Sequence, residues 1–195
     1  MSKIDYWKVL NELKVVSIVC VTSRPGSDFI QSLFDSHPSI ISIDGDLDYE
    51  KFYMNSISIW GSNSSMSRKE RIKKINLKDF FMEFAYKHLD KFKSHYDNLD
   101  LKQTENNIDI NKFLEFGLEL LQGIEFNKKN SFLAIYGAYN LARSGYIHNK
   151  KILLHHAHHV EKMEFLKKDF QNFQIIAANR DPRSAFISNM NAIKK

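Results

Sequence analysis

The sequence predicts an α/β protein in which a parallel β-sheet is flanked by helices and a helical insertion occupies the middle of the chain. Glycine and proline are scarce, with 7 Gly and 3 Pro in 195 residues, which disfavours turn-rich sandwiches and barrels. A nearly continuous β-branched run near the amino terminus is typical of a strand buried on both faces of a parallel sheet. Strand-like segments lie toward both ends of the chain, whereas residues from about 51 to 150 show helical patterns.

The amino-terminal part predicts the order helix, strand, turn, helix and strand. An amphipathic helix is expected over 5–13, and the β-branched run predicts a strand over 14–22. A glycine-containing turn over 23–27 leads into a helix over 28–36, where apolar residues recur at helical spacing. Strand, turn and helix form the first half of a βαβ unit, and a second short strand is expected over 40–43.

The remainder alternates between helices and short strands. We expect insertion helices over 68–75, 77–96, 109–123 and 130–144, with a loop over 97–107. Strands over 152–155 and 174–178 enclose a helix over 160–170, and a last helix begins after Asp181-Pro182, because proline favours the first helical turn. The whole, 1–195, is predicted to be a single domain.

The composition excludes several classes of protein. A net charge of +5 is too mild for the dense basic face of a nucleic-acid binder, but it suits an anionic small ligand. The single cysteine, Cys20, excludes an internal disulfide framework. The longest apolar stretch, 15–21, is too short for a transmembrane segment, and no secretory signal opens the chain, so we expect a cytoplasmic protein.

Two segments are candidate phosphate-binding sites. Arg24-Pro25-Gly26-Ser27 lies between a buried strand and a helix start, where backbone N–H groups and the helix dipole favour an anion. Arg180-Asp181-Pro182-Arg183 follows the strand over 174–178, and Ser188 lies about two helical turns beyond Arg180. Alone, the first segment is also typical of a tight connection with a solvated arginine, and the second is better explained as an Asp-Pro helix start with surface arginines. No Walker A motif is present.

Taken together, the two segments resemble the cofactor site of the sulfotransferases that use 3′-phosphoadenosine 5′-phosphosulfate (PAPS). The stretch 22–38 resembles the family's 5′-phosphosulfate loop, R/K-x-G-[ST]-[ST] followed by a helix and L-x-S-H-P. The stretch 175–188 resembles its 3′-phosphate site, a strand followed by R-[DN]-P-R and a serine. The resemblance covers both ends of the chain but not the middle. It implies a P-loop-type sheet and transfer of a sulfuryl group from PAPS to an acceptor hydroxyl, without a metal.

The resemblance also implies roles for individual residues. Arg24 takes the place of the cation on the 5′-phosphate and its bridging oxygen, and Arg180 and Ser188 match the pair that binds the 3′-phosphate and selects PAPS over ATP. The rest of the phosphosulfate loop comprises Pro25, Gly26, Ser27, Asp28 and Phe29. Asp28 departs from the family, which has Thr or Ser there. A carboxylate adds like charge beside an anionic donor.

The catalytic base has two candidates. In members of the cytosolic type a histidine follows the equivalent strand, somewhat over twenty residues before the 3′-site arginine, and His156 precedes Arg180 by 24 residues. The ordinary pKa of a histidine lies near neutrality, which suits a general base. Other branches of the family have a Glu on the loop after the first helix, and Asp46 stands near that position. Both remain open, with the histidine preferred.

Three alternatives concern the same residues. His155, His158 and His159 would share one face of a helix and suit zinc, but on a strand His155 and His156 point to opposite faces. The chain could instead be a P-loop ATP-dependent kinase, although the Walker lysine is missing, or a nucleotide-binding protein without transferase activity, which Asp28 favours. The expected acceptor is a carbohydrate or other small molecule.

Relatives in this family continue beyond the 3′-phosphate helix. This sequence ends at Lys195, seven residues after Ser188. We therefore expect either a short or a truncated family member.

Overall fold

The computed structural model describes residues 3–21, 25–43, 47, 49, 76–85, 108–158 and 160–193. The chain divides into two compact units, one formed by Met1–Glu12 with Glu50–His148 and the other by Leu13–Tyr49 with Asn149–Lys195. The described helices are α1 (Lys3–Glu12), α2 (Ser27–Ser32), α3 (Leu77–Phe84), α4 (Ile110–Leu121), α5 (Lys128–Ser144), α6 (Met163–Asp169) and α7 (Pro182–Ile193), with a 3₁₀ turn at Val160–Lys162. That the chain is a single domain stays a prediction.

The second unit contains a four-stranded sheet in which all strands are parallel. Its strands are β1 (Lys14–Cys20), β2 (Ile40–Ser42), β3 (Ile152–Ala157) and β4 (Phe173–Ala178), in the spatial order β2-β3-β1-β4. The predicted α/β class, with a parallel sheet flanked by helices, is confirmed. The third strand is longer than the sequence predicted, because His156 and Ala157 continue the ladder with Ile18 and Val19 of β1.

The β-branched run of β1 is buried, and this strand pairs with β3 on one side and with β4 on the other. Val15, Ile18 and Val19 have no exposed surface. In contrast, β4 pairs only with β1 among the described strands, and its Ile175 and Ile176 are exposed. Burial on both faces therefore holds for the central strand and not for this outer one.

The strand register brings three chain segments to one edge of the sheet. Ile18 of β1 lies level with His156 of β3 and Ile176 of β4, and Cys20 lies level with Ala178. Because parallel strands run in the same direction, the segments that follow β1, β3 and β4 all begin at the carboxyl edge. This is the edge where ligands bind in open α/β sheets.

Helix α2 is shorter than its apolar spacing predicts. The predicted helix over 28–36 ends as α-helix at Ser32, after which Phe34 and Asp35 donate backbone hydrogen bonds three residues back. Ser36 then adopts a positive φ of 58°, a left-handed conformation that stops the helix. The Leu33–Phe34 stretch thus forms turns despite its helical pattern.

The described residues of the first unit comprise the helices α1, α3, α4 and α5. Three of these helices begin at residues whose side chains accept backbone N–H bonds: Asn76, Asp109 and Asn127. Phe81 packs edge-on against Phe80 and Phe113, and the three rings are almost fully buried. The helices predicted over 77–96, 109–123 and 130–144 correspond to α3, α4 and α5 where the chain is described. The predicted helix over 68–75 and the loop over 97–107 lie outside the described residues, and the insertion itself stays a prediction.

Candidate functional site

The loop that follows β1 contains a glycine required by its backbone conformation. Gly26 has φ +89°, and a Cβ placed there would meet no atom within 4 Å, so the need for glycine is conformational rather than steric. Its carbonyl accepts the N–H of Ile30, which begins α2. Arg24, to which the resemblance assigns the central cation, lies outside the described residues.

Ser27 is the first residue of α2, and it is turned toward the sheet. Its side chain is buried, and its Oγ lies 3.0 Å from Cys20 Sγ at the end of β1. The strand and the loop are therefore joined through a hydroxyl–thiol contact. The sequence analysis assigned Ser27 to the cofactor loop, but for Cys20 it concluded only that a single cysteine excludes an internal disulfide framework.

The carboxylate of Asp28 faces His156. Its Oδ1 lies 3.5 Å from His156 Nδ1, an ion-pair distance that connects the loop after β1 to the end of β3. The two side chains differ sharply in exposure, 76% for Asp28 and 0% for His156. A carboxylate at this distance stabilises positive charge on the imidazole and orients the ring. Asp28, which departs from the pattern that the loop resembles, thus lies beside the histidine that the sequence analysis offers as a candidate base.

His155 points to the other face of the sheet, as expected for neighbouring strand residues. Its Nδ1 lies 2.8 Å from Ser17 Oγ, and its Nε2 contacts the carbonyl oxygen of Leu47. A carbonyl only accepts, so Nε2 carries the hydrogen, and in the neutral ring Nδ1 accepts the Ser17 hydroxyl. His155 has a structural role in the core rather than a place in the candidate site.

Three potential metal ligands converge beside Asp28. The ligand atoms of Cys20, His156 and His158 all lie within 4.8 Å of one another, and the two imidazole rings are edge-on with centroids 5.1 Å apart. The metal alternative based on a helical spacing of His155, His158 and His159 is wrong in its membership. His155 faces away, His159 lies outside the described residues, and Cys20 takes part instead.

The second phosphate candidate follows β4. Asp181 accepts hydrogen bonds from Arg183, from Nη2 at 2.9 Å and from Nε at 3.2 Å, and from the Arg183 backbone N–H at the start of α7. These bonds and the nearby charge of Arg180 hold the pKa of the Asp181 carboxyl below its usual range. Arg183 is thereby occupied within the protein.

Arg180 differs from Arg183 in its surroundings. It is exposed, and its guanidinium has no hydrogen-bond partner among the described residues. Ser188 belongs to α7, two turns further along the chain, as the resemblance requires. Of the two arginines, Arg180 is therefore the one whose guanidinium is open to an anion.

The structure brings some of the predicted site residues together and leaves others apart. Ser27, Asp28 and His156 meet at the carboxyl edge of the sheet, whereas Phe29 is exposed on α2 and Pro25 is half-buried. Asp46, the second base candidate, lies outside the described residues. Sequence reasoning missed the placement of Cys20 and His158 beside His156, because that placement depends on which strands are neighbours.

The chain was compared with family models, curated proteins and solved structures. No family model, no curated protein and no solved structure matches the chain. Within the described residues, no helix combines the length and apolar character needed to cross a membrane.

Proposed function

We propose that the protein is a sulfotransferase that moves the sulfuryl group of PAPS to the hydroxyl of a carbohydrate or other small acceptor. The observation that carries this proposal is the contact between Asp28 and His156. It joins the loop that resembles a phosphosulfate cradle to the histidine that resembles the family's base. The order of the strands, with β1 between β3 and β4, supports it further, because all three candidate segments begin at one edge.

In the proposed reaction the acceptor oxygen attacks sulfur in line with the leaving phosphate oxygen. The new bond forms between the acceptor oxygen and sulfur, while the bond from sulfur to the bridging oxygen of the 5′-phosphate breaks. The acceptor proton passes to His156, and Asp28 stabilises the imidazolium that results. Arg24 offsets the charge that develops on the departing 5′-phosphate. Adenosine 3′,5′-bisphosphate then leaves.

Cofactor selection is proposed to depend on Arg180. Its exposed guanidinium follows the strand beside β1, where it can donate two hydrogen bonds to a 3′-phosphate. ATP lacks that phosphate. Arg183 cannot substitute without giving up its bonds to Asp181.

A second candidate function, nucleotide binding without transfer, is favoured by the burial of the base. His156 is only 1% exposed, so an acceptor reaches its ring only when neighbouring side chains move. Asp28 and His158, which lie beside the ring, are both exposed. A transferase requires that these side chains rotate; a binding protein does not.

The first experiment is a calorimetric titration of the full chain with adenosine 3′,5′-bisphosphate, with ADP as the ligand that lacks a 3′-phosphate. We expect binding of the bisphosphate and at least tenfold weaker binding of ADP, because a charge-assisted hydrogen bond contributes about 1.5–3 kcal/mol. Arg180→Ala should remove this preference, and Lys167→Ala, an exposed cation on α6, should keep it. Equal affinity for both ligands, or tighter binding of ADP, would contradict PAPS recognition.

The second experiment separates the two functions. Transfer of labelled sulfate from PAPS is measured over a panel of sugars, phenols and alcohols. Turnover that disappears in His156→Ala while bisphosphate binding persists supports the transferase. Binding without turnover for every acceptor favours the binding protein.

A further inference from the structure

We propose that Cys20, His156 and His158 form a binding site for a zinc-type divalent ion at the carboxyl edge of the sheet. The strand register explains why these residues meet. Ile18 pairs with His156, so the two side chains point to the same face, and Cys20 lies two residues beyond Ile18. His158 likewise lies two residues beyond His156. Cys20 and His156 therefore project from one face of neighbouring strands, and His158 follows directly after β3, where its ring lies edge-on to that of His156.

The ligand atoms are close enough for one ion. The thiol sulfur and the imidazole nitrogens lie within 4.8 Å of one another. Tetrahedral zinc, with bonds of about 2.0–2.3 Å, separates its ligand atoms by about 3.4–3.6 Å. Closing the difference requires shifts of roughly 1 Å. His158 is exposed and Cys20 is half-buried, so both can move toward the fully buried His156.

The chemistry of the donor set selects zinc over the hard cations. One thiolate and two imidazoles suit zinc, whereas magnesium and calcium prefer oxygen ligands. Three protein ligands also leave the fourth tetrahedral position open to water or another small ligand, as in catalytic zinc sites.

Two further side chains contact the proposed ligands and can orient them. Ser27 Oγ, 3.0 Å from Cys20 Sγ, can donate its hydrogen to a thiolate. Asp28 Oδ1 lies 3.5 Å from His156 Nδ1, which leaves Nε2 as the nitrogen that binds the ion. A carboxylate on the far nitrogen of a ligand histidine fixes the ring and increases its basicity. Ser27 and Asp28 thus hold the ligands of the proposed metal site, Ser27 through Cys20 and Asp28 through His156.

The metal site does not depend on the proposed transferase activity. Binding of an ion is measured without PAPS and without an acceptor, so the two proposals fail separately. They share His156, and a metal on its Nε2 would take the lone pair that accepts a proton there. Where both hold, zinc inhibits sulfate transfer.

The test is a titration of the reduced full-length protein with Co²⁺, followed by displacement with Zn²⁺. We expect one ion per chain, an intense thiolate-to-cobalt absorption band, and loss of that band when Zn²⁺ is added. Cys20→Ser should remove the band, and His158→Ala should weaken Co²⁺ binding at least tenfold. His148→Ala, an exposed histidine outside the sheet unit, should bind as the wild type does.

His158 is exposed, so its variant keeps the core intact, and circular dichroism verifies the fold of each variant. A wild-type spectrum without the thiolate band would overturn the proposal. So would wild-type affinity in both the Cys20→Ser and His158→Ala proteins.

Discussion

Asp28 and His156, which are far apart in the sequence, face each other across the carboxyl edge of the sheet with 3.5 Å between Oδ1 and Nδ1. The pair gives a physical reason for the carboxylate at a position where the sulfotransferase loop that this segment resembles has a hydroxyl. A hydroxyl could donate a hydrogen bond to a phosphate of PAPS, whereas the carboxylate lies against the His156 imidazole. The same contact links the proposed reaction to the proposed metal site, because it orients the ring used by both.

Replacing Asp28 by serine is expected to affect binding and turnover in opposite directions. The change removes like charge beside the anionic donor and adds a hydroxyl donor, so affinity for adenosine 3′,5′-bisphosphate should rise about fivefold, corresponding to about 1 kcal/mol of Coulomb repulsion in water. It also removes the charge that stabilises the His156 imidazolium, so kcat should fall. Calorimetry and steady-state kinetics provide the two measurements. A parallel fall in both would show that Asp28 binds the cofactor directly.

Replacing His156 by asparagine is expected to lower kcat by a factor of 10² to 10⁴, the usual contribution of a general base. Asparagine retains polarity and approximate size in the buried position, and the affinity for the bisphosphate should change little. His155→Asn serves as a structural comparison, since that ring faces Ser17 and Leu47. Should the two variants lose turnover and stability equally, His156 would be assigned to folding rather than catalysis.

Gly26 provides a test of the loop conformation. At φ +89° an alanine adopts a left-handed conformation that costs about 1–2 kcal/mol, although its methyl group meets no neighbour. Urea denaturation of Gly26→Ala should show that loss, together with weaker bisphosphate binding. Asparagine tolerates this region better, so Gly26→Asn should lie between alanine and the wild type. Equal stability of all three proteins would contradict the strained turn.

The hydrogen bond between Ser17 and His155 is expected to stabilise the sheet. Both side chains are buried, and removing the hydroxyl takes a partner from the ring, at a cost of about 1–3 kcal/mol in the free energy of unfolding. Ser17→Ala is compared by chemical denaturation with Ser32→Ala, whose hydroxyl makes an exposed local bond on α2. A loss no larger than in the Ser32 variant would mean that the buried contact adds nothing.

Asp181 is expected to titrate below the ordinary range of an aspartate. Hydrogen bonds from Arg183 lower its pKa, with a further contribution from the charge of Arg180. Because the folded-state pKa is depressed, the pair's contribution to stability is complete above about pH 3.9 and is lost as the pH falls through the folded value. NMR titration of the carboxyl carbon in the wild type, Arg183→Lys and Arg183→Ala should give successively higher pKa values. Identical values would contradict the bidentate pair.

The residue pattern alone determined the class of the fold. The β-branched run from Val15 to Val21 predicted a strand buried on both faces, and apolar spacing, with Pro182 for the last helix, predicted where the described helices lie. These features are local, since they depend on side-chain volume, spacing and backbone propensity within ten or twenty residues. The turn that shortens α2 was not predicted, because apolar spacing does not report the left-handed backbone at Ser36.

The candidate site was only partly readable for the same reason. Motif order singled out Ser27, Asp28, His156 and Arg180 as members of a site, but not which atoms meet. Tertiary structure decided that Asp28 faces His156, that His155 turns away to Ser17, and that Arg183 is held by Asp181. It also joined Cys20 to His156 and His158. These relationships depend on which strands are neighbours and in what register, a long-range choice made by the packing of the whole sheet and absent from any local stretch of sequence.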